Sequence, residues 1–320
     1  MAEPLESPAP PTSPVRAGLI ARWRARSAIY SPAVWALMIA LDVLPWPWGE
    51  DIVAHLFGAT GLLRRDRRQR ALAWARQQPD RSAWRLAHAL CAFLGRWAAR
   101  SKLLGLREPD DLRRHLVVEG EERLDAGGAG VILLAFHIGP PNADIALKVL
   151  GRRVTSVVWG RRDQPGWWGP PWRSLFASNP DLVASGNPDR WLRVLYQARR
   201  ILLDGGIVYL MADGAGRELA HLPLPGGPVI VRAGWFNLQR HTGARVLPIL
   251  THAEGRRQVI TIHPELPMGE ADPAEGRPRW QDAIASLLAD YVRRFPEQCF
   301  GLAFRPWGRA AEPGFTAPQV

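Results

Sequence analysis

The architecture of the chain is best predicted from one segment, Val131-Ile-Leu-Leu-Ala-Phe-His137-Ile-Gly-Pro-Pro-Asn-Ala-Asp144. Its first six residues are apolar, which is typical of a buried strand, and the Gly-Pro-Pro after His137 marks a turn. In open α/β sheets the functional groups gather at the carboxyl ends of the strands. His137 stands at such an end, and Asn142 and Asp144 follow within local reach. This combination predicts a general base with polar neighbours.

From about residue 115 onward, short apolar runs alternate with segments of helical pattern. This alternation predicts an α/β fold in which a mixed, mostly parallel sheet is flanked by helices. We expect strands at Leu116–Val118, Val131–Phe136, Val154–Trp159, Ile207–Ala212, Val229–Val231, Val246–Leu250 and Val259–Ile262. We expect helices at Ala143–Leu150, Pro188–Leu203, Gly234–Thr242 and Trp280–Arg294.

The chain before this alternation has a different character. Residues 1–15 are rich in proline and predict a disordered tail. Residues 16–110 are basic with helical patterns, and the apolar run at 33–41 is far shorter than the roughly 20 residues that span a bilayer. A basic helix that ends in tryptophans is typical of a membrane interface, and a plain core helix fits equally well. We therefore expect a membrane-associating region at 16–110, an α/β domain at 111–310 and a tail at 311–320.

The composition points to an anionic partner. The formal net charge is +11, and the chain holds 15 tryptophans. Positive charge favours anionic surfaces, and tryptophan prefers the boundary between membrane and water. Together they favour an anionic membrane surface over nucleic acid, for which we recognise no binding module. Cys91 and Cys299 are far apart and lack metal-ligand spacing, so we expect no disulfide framework and no zinc site. We also expect no resident cofactor.

Eight segments, taken in order, resemble a known family. They are Gln78-Pro-Asp-Arg81, Val117-Val-Glu-Gly120, Gly130-Val-Ile-Leu-Leu-Ala-Phe-His137, Val158-Trp-Gly-Arg-Arg162, Leu202-Leu-Asp-Gly-Gly206, Ile207-Val-Tyr-Leu-Met-Ala-Asp-Gly214, Pro223-Leu-Pro-Gly-Gly-Pro228 and Thr242-Gly-Ala-Arg-Val-Leu-Pro248. Their order and spacing resemble the lysophospholipid acyltransferase superfamily. Within it they are most similar to the branch of the late lauroyl and myristoyl acyltransferases of lipid A biosynthesis and of mannosylated phosphoinositide acyltransferases. The resemblance implies a glycerolipid acyltransferase-like fold.

The resemblance also implies a catalytic pair and a departure from it. In that family a histidine is followed, after four residues, by an aspartate or glutamate that orients the imidazole. Here that position holds Asn142, and the first carboxylate is Asp144. In one alternative, the amide oxygen of Asn142 fixes the ring of His137. In another, Asp144 supplies the carboxylate, because the two prolines at 140 and 141 shift the residue at which the helix begins. In a third, the site is catalytically weak or inactive.

Further residues take their expected roles from the same resemblance. Arg161 falls where the family binds acceptor phosphate or headgroup, and Arg162 shares this role because the register is uncertain by one. Asp213 and Gly214 resemble the acidic motif of the family's site, although Asp-Gly is also a common turn signal.

The implied activity is transfer of a fatty acyl chain from a thioester donor to a hydroxyl or amine of a lipid acceptor, with His137 as general base. The donor is acyl-carrier protein or acyl-coenzyme A, and the expected location is the cytoplasmic face of the cell membrane. The alternative is a non-catalytic, lipid-binding relative that has lost the carboxylate. A serine hydrolase is disfavoured because the chain has no G-x-S-x-G elbow.

Overall fold

A computed structural model describes residues 48–78, 81–104, 109–125, 128–140, 143–159, 177–178, 180–184, 188–214, 217–224, 227–255, 257–269 and 278–304. The predicted Pro-rich tail, the apolar run at 33–41 and the tail at 311–320 lie outside these residues.

Within the described residues, nine strands form two sheets. The strands are β1 (Leu116–Glu119), β2 (Val131–Ala135), β3 (Val154–Trp159), β4 (Leu182–Ala184), β5 (Ile207–Met211), β6 (Glu218–Leu222), β7 (Val229–Arg232), β8 (Arg245–Glu254) and β9 (Arg257–Ile262). Seven of them form one sheet in the order β1-β9-β8-β2-β5-β3-β4, and β6 and β7 form an antiparallel pair of their own. In the larger sheet only the β8–β9 pairing is antiparallel.

The predicted α/β class and the mixed, mostly parallel sheet are confirmed. A strand occurs at each of the seven expected positions, but the Val229–Val231 run belongs to the small sheet rather than the central one. The sequence reasoning missed β4 and β6. β4 is an apolar run of only three residues, and in β6 (Glu-Leu-Ala-His-Leu) charged and polar residues interrupt the apolar ones.

Helices cover both faces of the central sheet. They are α1 (Trp48–Leu63), α2 (Arg65–Ala75), α3 (Ala83–Leu104), α4 (Pro109–Arg113), α5 (Ala143–Val149), α6 (Pro188–Leu203), α7 (Gly234–Thr242), α8 (Arg279–Arg294) and α9 (Phe300–Phe304), with 3₁₀ turns at Glu121–Leu124 and Pro296–Gln298. The four helices expected after residue 140 are confirmed, with end residues that differ by at most one position.

The strand β2 shows how the two faces are filled. All five of its residues are buried, which is why it reads as a continuous apolar run rather than an alternating one. Ile132 and Leu134 belong to a core shared with α3, α6, α7 and α8. Val131, Leu133 and Ala135 belong to a second core shared with α5. A strand in the centre of a sheet with apolar layers on both sides gives a rigid support for the residues at its end.

The amino-terminal helices are joined to the end of the described chain. Trp74 on α2 donates its indole N–H to the carbonyl of Pro296, at 3.0 Å. Arg70 donates to the carbonyl of Phe304 at 3.1 Å, and Arg81 forms an ion pair with Glu297. Across the residues that the structure describes, we find no helix that combines the length and the hydrophobicity needed to cross a bilayer.

Candidate active site

Two neighbouring strands deliver the central residues of the site. β2 and β5 are parallel, and their last residues, Ala135 and Met211, face each other in register. The pairing extends one step further because the N–H of Ala212 donates to the carbonyl of Ala135 at 2.7 Å. His137 lies two residues beyond Ala135, and Asp213 lies two residues beyond Met211. Equal offsets from a paired register therefore bring the two side chains together at the carboxyl edge of the sheet.

His137 and Asp213 form a histidine–carboxylate pair. Nδ1 of His137 lies 2.9 Å from Oδ1 of Asp213. The backbone N–H of His137 also donates to this carboxylate, at 3.0 Å to Oδ2 and 3.2 Å to Oδ1. An ionised carboxylate only accepts hydrogen bonds, so in a neutral imidazole this contact favours the tautomer with the ring proton on Nδ1 and the lone pair on Nε2. The His137 side chain is 24% exposed, so it is accessible from solvent.

Asp144 occupies a different environment. It stands in the first turn of α5, is fully buried, and its Oδ2 accepts a hydrogen bond of 2.6 Å from the hydroxyl of Ser156 on β3. One turn later Lys148, also fully buried, forms an ion pair of 2.5 Å with Asp181. These contacts join α5 to β3 and to the start of β4. Nδ1 of His137 is thus bonded to Asp213. From the sequence we had expected Asn142 or Asp144 to be the partner of this imidazole.

The other expected site residues divide into two groups. Asn142, Arg161 and Arg162 lie outside the residues that the structure describes. Gly214 directly follows Asp213. The expected site at this edge of the sheet is therefore represented in the structure by His137, Asp213 and Gly214.

An arginine that the sequence reasoning missed also belongs to this edge. Arg232 ends β7, and its backbone N–H donates to the carbonyl of Ala212 at 2.7 Å. Its Nε donates to the carbonyl of Gly214 at 3.1 Å, and its Nη1 lies 3.3 Å from Glu218. The side chain is only 17% exposed. The sequence does show an arginine at the end of an apolar strand, which could have marked Arg232 as a candidate. It does not show that the end of β7 lies next to Ala212 and Asp213.

The turn after His137 is tightly enclosed. Gly139 has a φ of 69°, and a Cβ at this position would overlap the carbonyl oxygen of Thr251 and approach the hydroxyl of Tyr291. Its N–H donates to the carbonyl of Gln298 at 2.9 Å. The hydroxyl of Thr251 donates to the carbonyl of Pro140. This position requires glycine for two reasons, its left-handed backbone and the space around it.

The helix α9 approaches the histidine itself. A Cβ added to Gly301 would overlap the carbonyl oxygen of His137. The neighbouring Cys299 is fully buried, and its thiol lies 3.3 Å from the carbonyl of Phe295. Burial, and to a smaller degree the charge of Glu297, raises the pKa of the Cys299 thiol well above its ordinary value. A buried thiol of this kind is a poor nucleophile, so Cys299 serves packing rather than covalent chemistry.

Within the part of the chain that the structure describes, we find no group of three or more His, Cys, Asp or Glu side chains arranged to hold a metal ion. Neither a scan against protein-family models nor a search of curated proteins finds a match to the chain.

Proposed function

We propose that this chain is an acyltransferase that moves a fatty acyl chain from an acyl thioester to a hydroxyl or amine of a lipid acceptor. The observation that carries the proposal is the bond between Nδ1 of His137 and the carboxylate of Asp213. A histidine held in this way presents a basic Nε2 and has a carboxylate ready to stabilise the imidazolium. The proposal includes membership of the lysophospholipid acyltransferase superfamily, which the sequence resembles, and a glycerolipid acyltransferase-like fold.

In the proposed reaction, Nε2 of His137 removes the proton from the acceptor hydroxyl as its oxygen attacks the thioester carbonyl. The resulting C–O bond gives a tetrahedral oxyanion. When this intermediate collapses, the C–S bond breaks, the thiolate leaves, and the imidazolium returns the proton to the sulfur. Asp213 remains ionised and stabilises the imidazolium between these two transfers. No covalent acyl-enzyme is needed, which agrees with a buried Cys299.

Charge supports the choice of donor and of location. Acyl-carrier protein and coenzyme A are both acidic, and the chain has a formal net charge of +11. We propose that the same charge favours an anionic membrane surface at the cytoplasmic face of the cell membrane. On α1, Trp48, Ile52 and Leu56 are exposed at intervals of four residues, and Leu63 is exposed at its end. Such spacing places apolar side chains along one side of a helix, as in interfacial helices.

The alternative function is a non-catalytic, lipid-binding relative. Asn142 in the position of the family's local carboxylate is the observation in its favour. Asp213 weakens this alternative because its carboxylate, just beyond the end of β5, bonds to the same imidazole.

Purified full-length chain with labelled acyl-carrier protein and acyl-coenzyme A tests the proposal when mixed lysolipids serve as acceptors. We expect acyl transfer by the wild type, loss of transfer in His137→Ala, and normal transfer in the control His241→Ala, which changes an exposed histidine at the end of α7. Retained turnover in folded His137→Ala would refute the mechanism. Binding to anionic vesicles with no transfer by the wild type would favour the non-catalytic alternative.

A further inference from the structure

The strand β8 loses its neighbour at the point where the histidine turn begins. β2 pairs with β8 as far as Leu134 and Pro248, while β8 continues to Glu254, paired on its other side with β9. Beyond Pro248 the backbone of β8 therefore needs other partners on the side of β2. The structure supplies them from the last part of the described chain: the hydroxyl of Tyr291 donates to the carbonyl of Thr251 at 2.6 Å.

Gln298 supplies the next two bonds along β8. Its side chain is buried, and its Oε1 accepts from the N–H of Ala253 at 2.8 Å. Its Nε2 donates to the carbonyl of the same residue at 3.0 Å. One side-chain amide thus satisfies both backbone groups of Ala253, as a paired strand would do. Gln298 acts here as a one-residue substitute for the missing part of β2.

The backbone of the same residue holds the turn after the histidine. The carbonyl of Gln298 accepts the N–H of Gly139 at 2.9 Å. Three residues later, Gly301 lies so close to the carbonyl of His137 that a Cβ would not fit. The main chain at His137 is therefore enclosed by Asp213, two residues beyond β5, on one side and by the segment from Gln298 to Gly301 on another.

We propose that Gln298 is a positioning residue for His137: its side chain anchors the 3₁₀ turn to β8, and its carbonyl holds the histidine turn against that anchor. Asp213 holds the imidazole and the backbone N–H of His137, and Gln298 holds the backbone two residues further on, at Gly139. This inference rests on the proposed role of His137 as general base. Small displacements of a catalytic group reduce rates strongly, and a 1 Å error costs up to about 100-fold.

The variant that isolates this role is Gln298→Met, which keeps the length and loses both bonds to Ala253. Gln298→Asn is a milder second variant, because it keeps the amide on a shorter stem that cannot reach both groups. Gln78→Met is the matched control, since Gln78 is also a buried glutamine. Turnover, KM and melting temperature are measured for each full-length variant. The tautomer of His137 is read from ¹H–¹⁵N spectra of the ring, assigned with His137→Gln.

We expect Gln298→Met to reduce kcat by about 10-fold to 100-fold with little change in KM. We also expect it to replace the single Nδ1–H tautomer of His137 by a mixture. Gln298→Asn should show a smaller effect in the same direction, and Gln78→Met should leave both the tautomer of His137 and kcat at their wild-type values. The inference is overturned if Gln298→Met or Gln298→Asn lowers the melting temperature while the tautomer and kcat match those of the wild type. If the wild type transfers no acyl group, the proposed function fails, and the tautomer comparison still decides the role of Gln298.

Discussion

Asp213 accepts hydrogen bonds from both the ring Nδ1 and the backbone N–H of His137, although 76 positions separate the two residues in the chain. One carboxylate therefore fixes the ring and the main chain that carries it. The arrangement follows from the register of β2 and β5, in which Ala135 faces Met211. Bonds to an ionised acceptor are stronger than neutral ones, so this contact favours a single orientation of the imidazole.

Replacement of Asp213 by asparagine is expected to reduce kcat by about 10³-fold to 10⁴-fold while the protein remains folded. The amide can present its NH₂ group to Nδ1, which places the ring proton on Nε2 and removes the base. Steady-state acyl transfer with saturating acceptor measures the loss, and circular dichroism checks the fold. Unchanged turnover in Asp213→Asn would show that this carboxylate does not orient the base.

Asp144→Asn provides the contrast between the two carboxylates. Asp144 is buried and bonded to Ser156, so its replacement is expected to cost roughly 1–3 kcal/mol of unfolding free energy and to leave the turnover of folded protein near that of the wild type. Thermal unfolding and acyl transfer are measured on the same preparations. A large loss of turnover in Asp144→Asn, together with normal turnover in Asp213→Asn, would reverse the assignment of the pair.

The sequence was sufficient for the fold class because the periodicity of buried strands and amphipathic helices is local. β2, β3, α6 and α7 were visible for this reason. The order of strands in the sheet is not local, and the pairing of β2 with β5 was needed to bring Asp213 to His137. A local search around His137 pointed instead to Asn142 and Asp144.

The role of Gln298 could not be predicted from the sequence for a similar reason. Its side chain bonds to the backbone N–H and carbonyl of Ala253, and almost any strand residue carries the same groups. Nothing in the type or spacing of these residues marks the contact. Arg232 was visible as a residue but not as a neighbour of Gly214, since that contact depends on where the small sheet meets the end of β5.

The conformation of Gly139 and the space around it predict how much an alanine at this position lowers the free energy of unfolding. Gly139→Ala adds backbone strain of about 1–2 kcal/mol and an overlap with Thr251 that costs roughly 1–3 kcal/mol more. Gly151→Ala is the matched control, because Gly151 has a φ of 90° with open space around it and pays for strain alone. Chemical denaturation gives both free energies. Equal destabilisation by the two substitutions would show that the enclosure of the histidine turn has no energetic weight.

The buried ion pair between Lys148 on α5 and Asp181 predicts a large effect on stability. Lys148 is fully buried and bonded to Asp181, whose side chain is only 9% exposed. Lys148→Met therefore leaves the carboxylate of Asp181 without its cation and with little access to water. We expect a loss of about 3–5 kcal/mol in unfolding free energy. The double variant Lys148→Met with Asp181→Leu should recover part of this loss, since it also removes the carboxylate that Lys148→Met leaves without its ion-pair partner. A single variant as stable as the wild type would contradict the importance of the pair.

The proposed membrane contact through α1 predicts a difference between two exposed leucines. Leu56→Asp places a charge among Trp48 and Ile52 and is expected to weaken binding to vesicles that contain anionic lipid. Leu203→Asp, at the end of α6, is the control because it changes a leucine of similar exposure on another helix. Vesicle flotation at several salt concentrations measures the binding. If Leu56→Asp floats like the wild type, α1 is not the contact surface.

Thiol reactivity gives the last prediction. Burial raises the pKa of both thiols, moderately for Cys91 and well above the ordinary value for Cys299. Because the thiolate is the reactive form and neither sulfur is accessible, we expect no labelling of the native chain by a thiol reagent at pH 8 and labelling of both residues after unfolding. Acyl transfer should therefore continue in the presence of the reagent, as it should in Cys299→Ala. Rapid labelling of native Cys299 with parallel loss of transfer would instead indicate a covalent acyl intermediate on that sulfur, and direct transfer assisted by His137 would have to be abandoned.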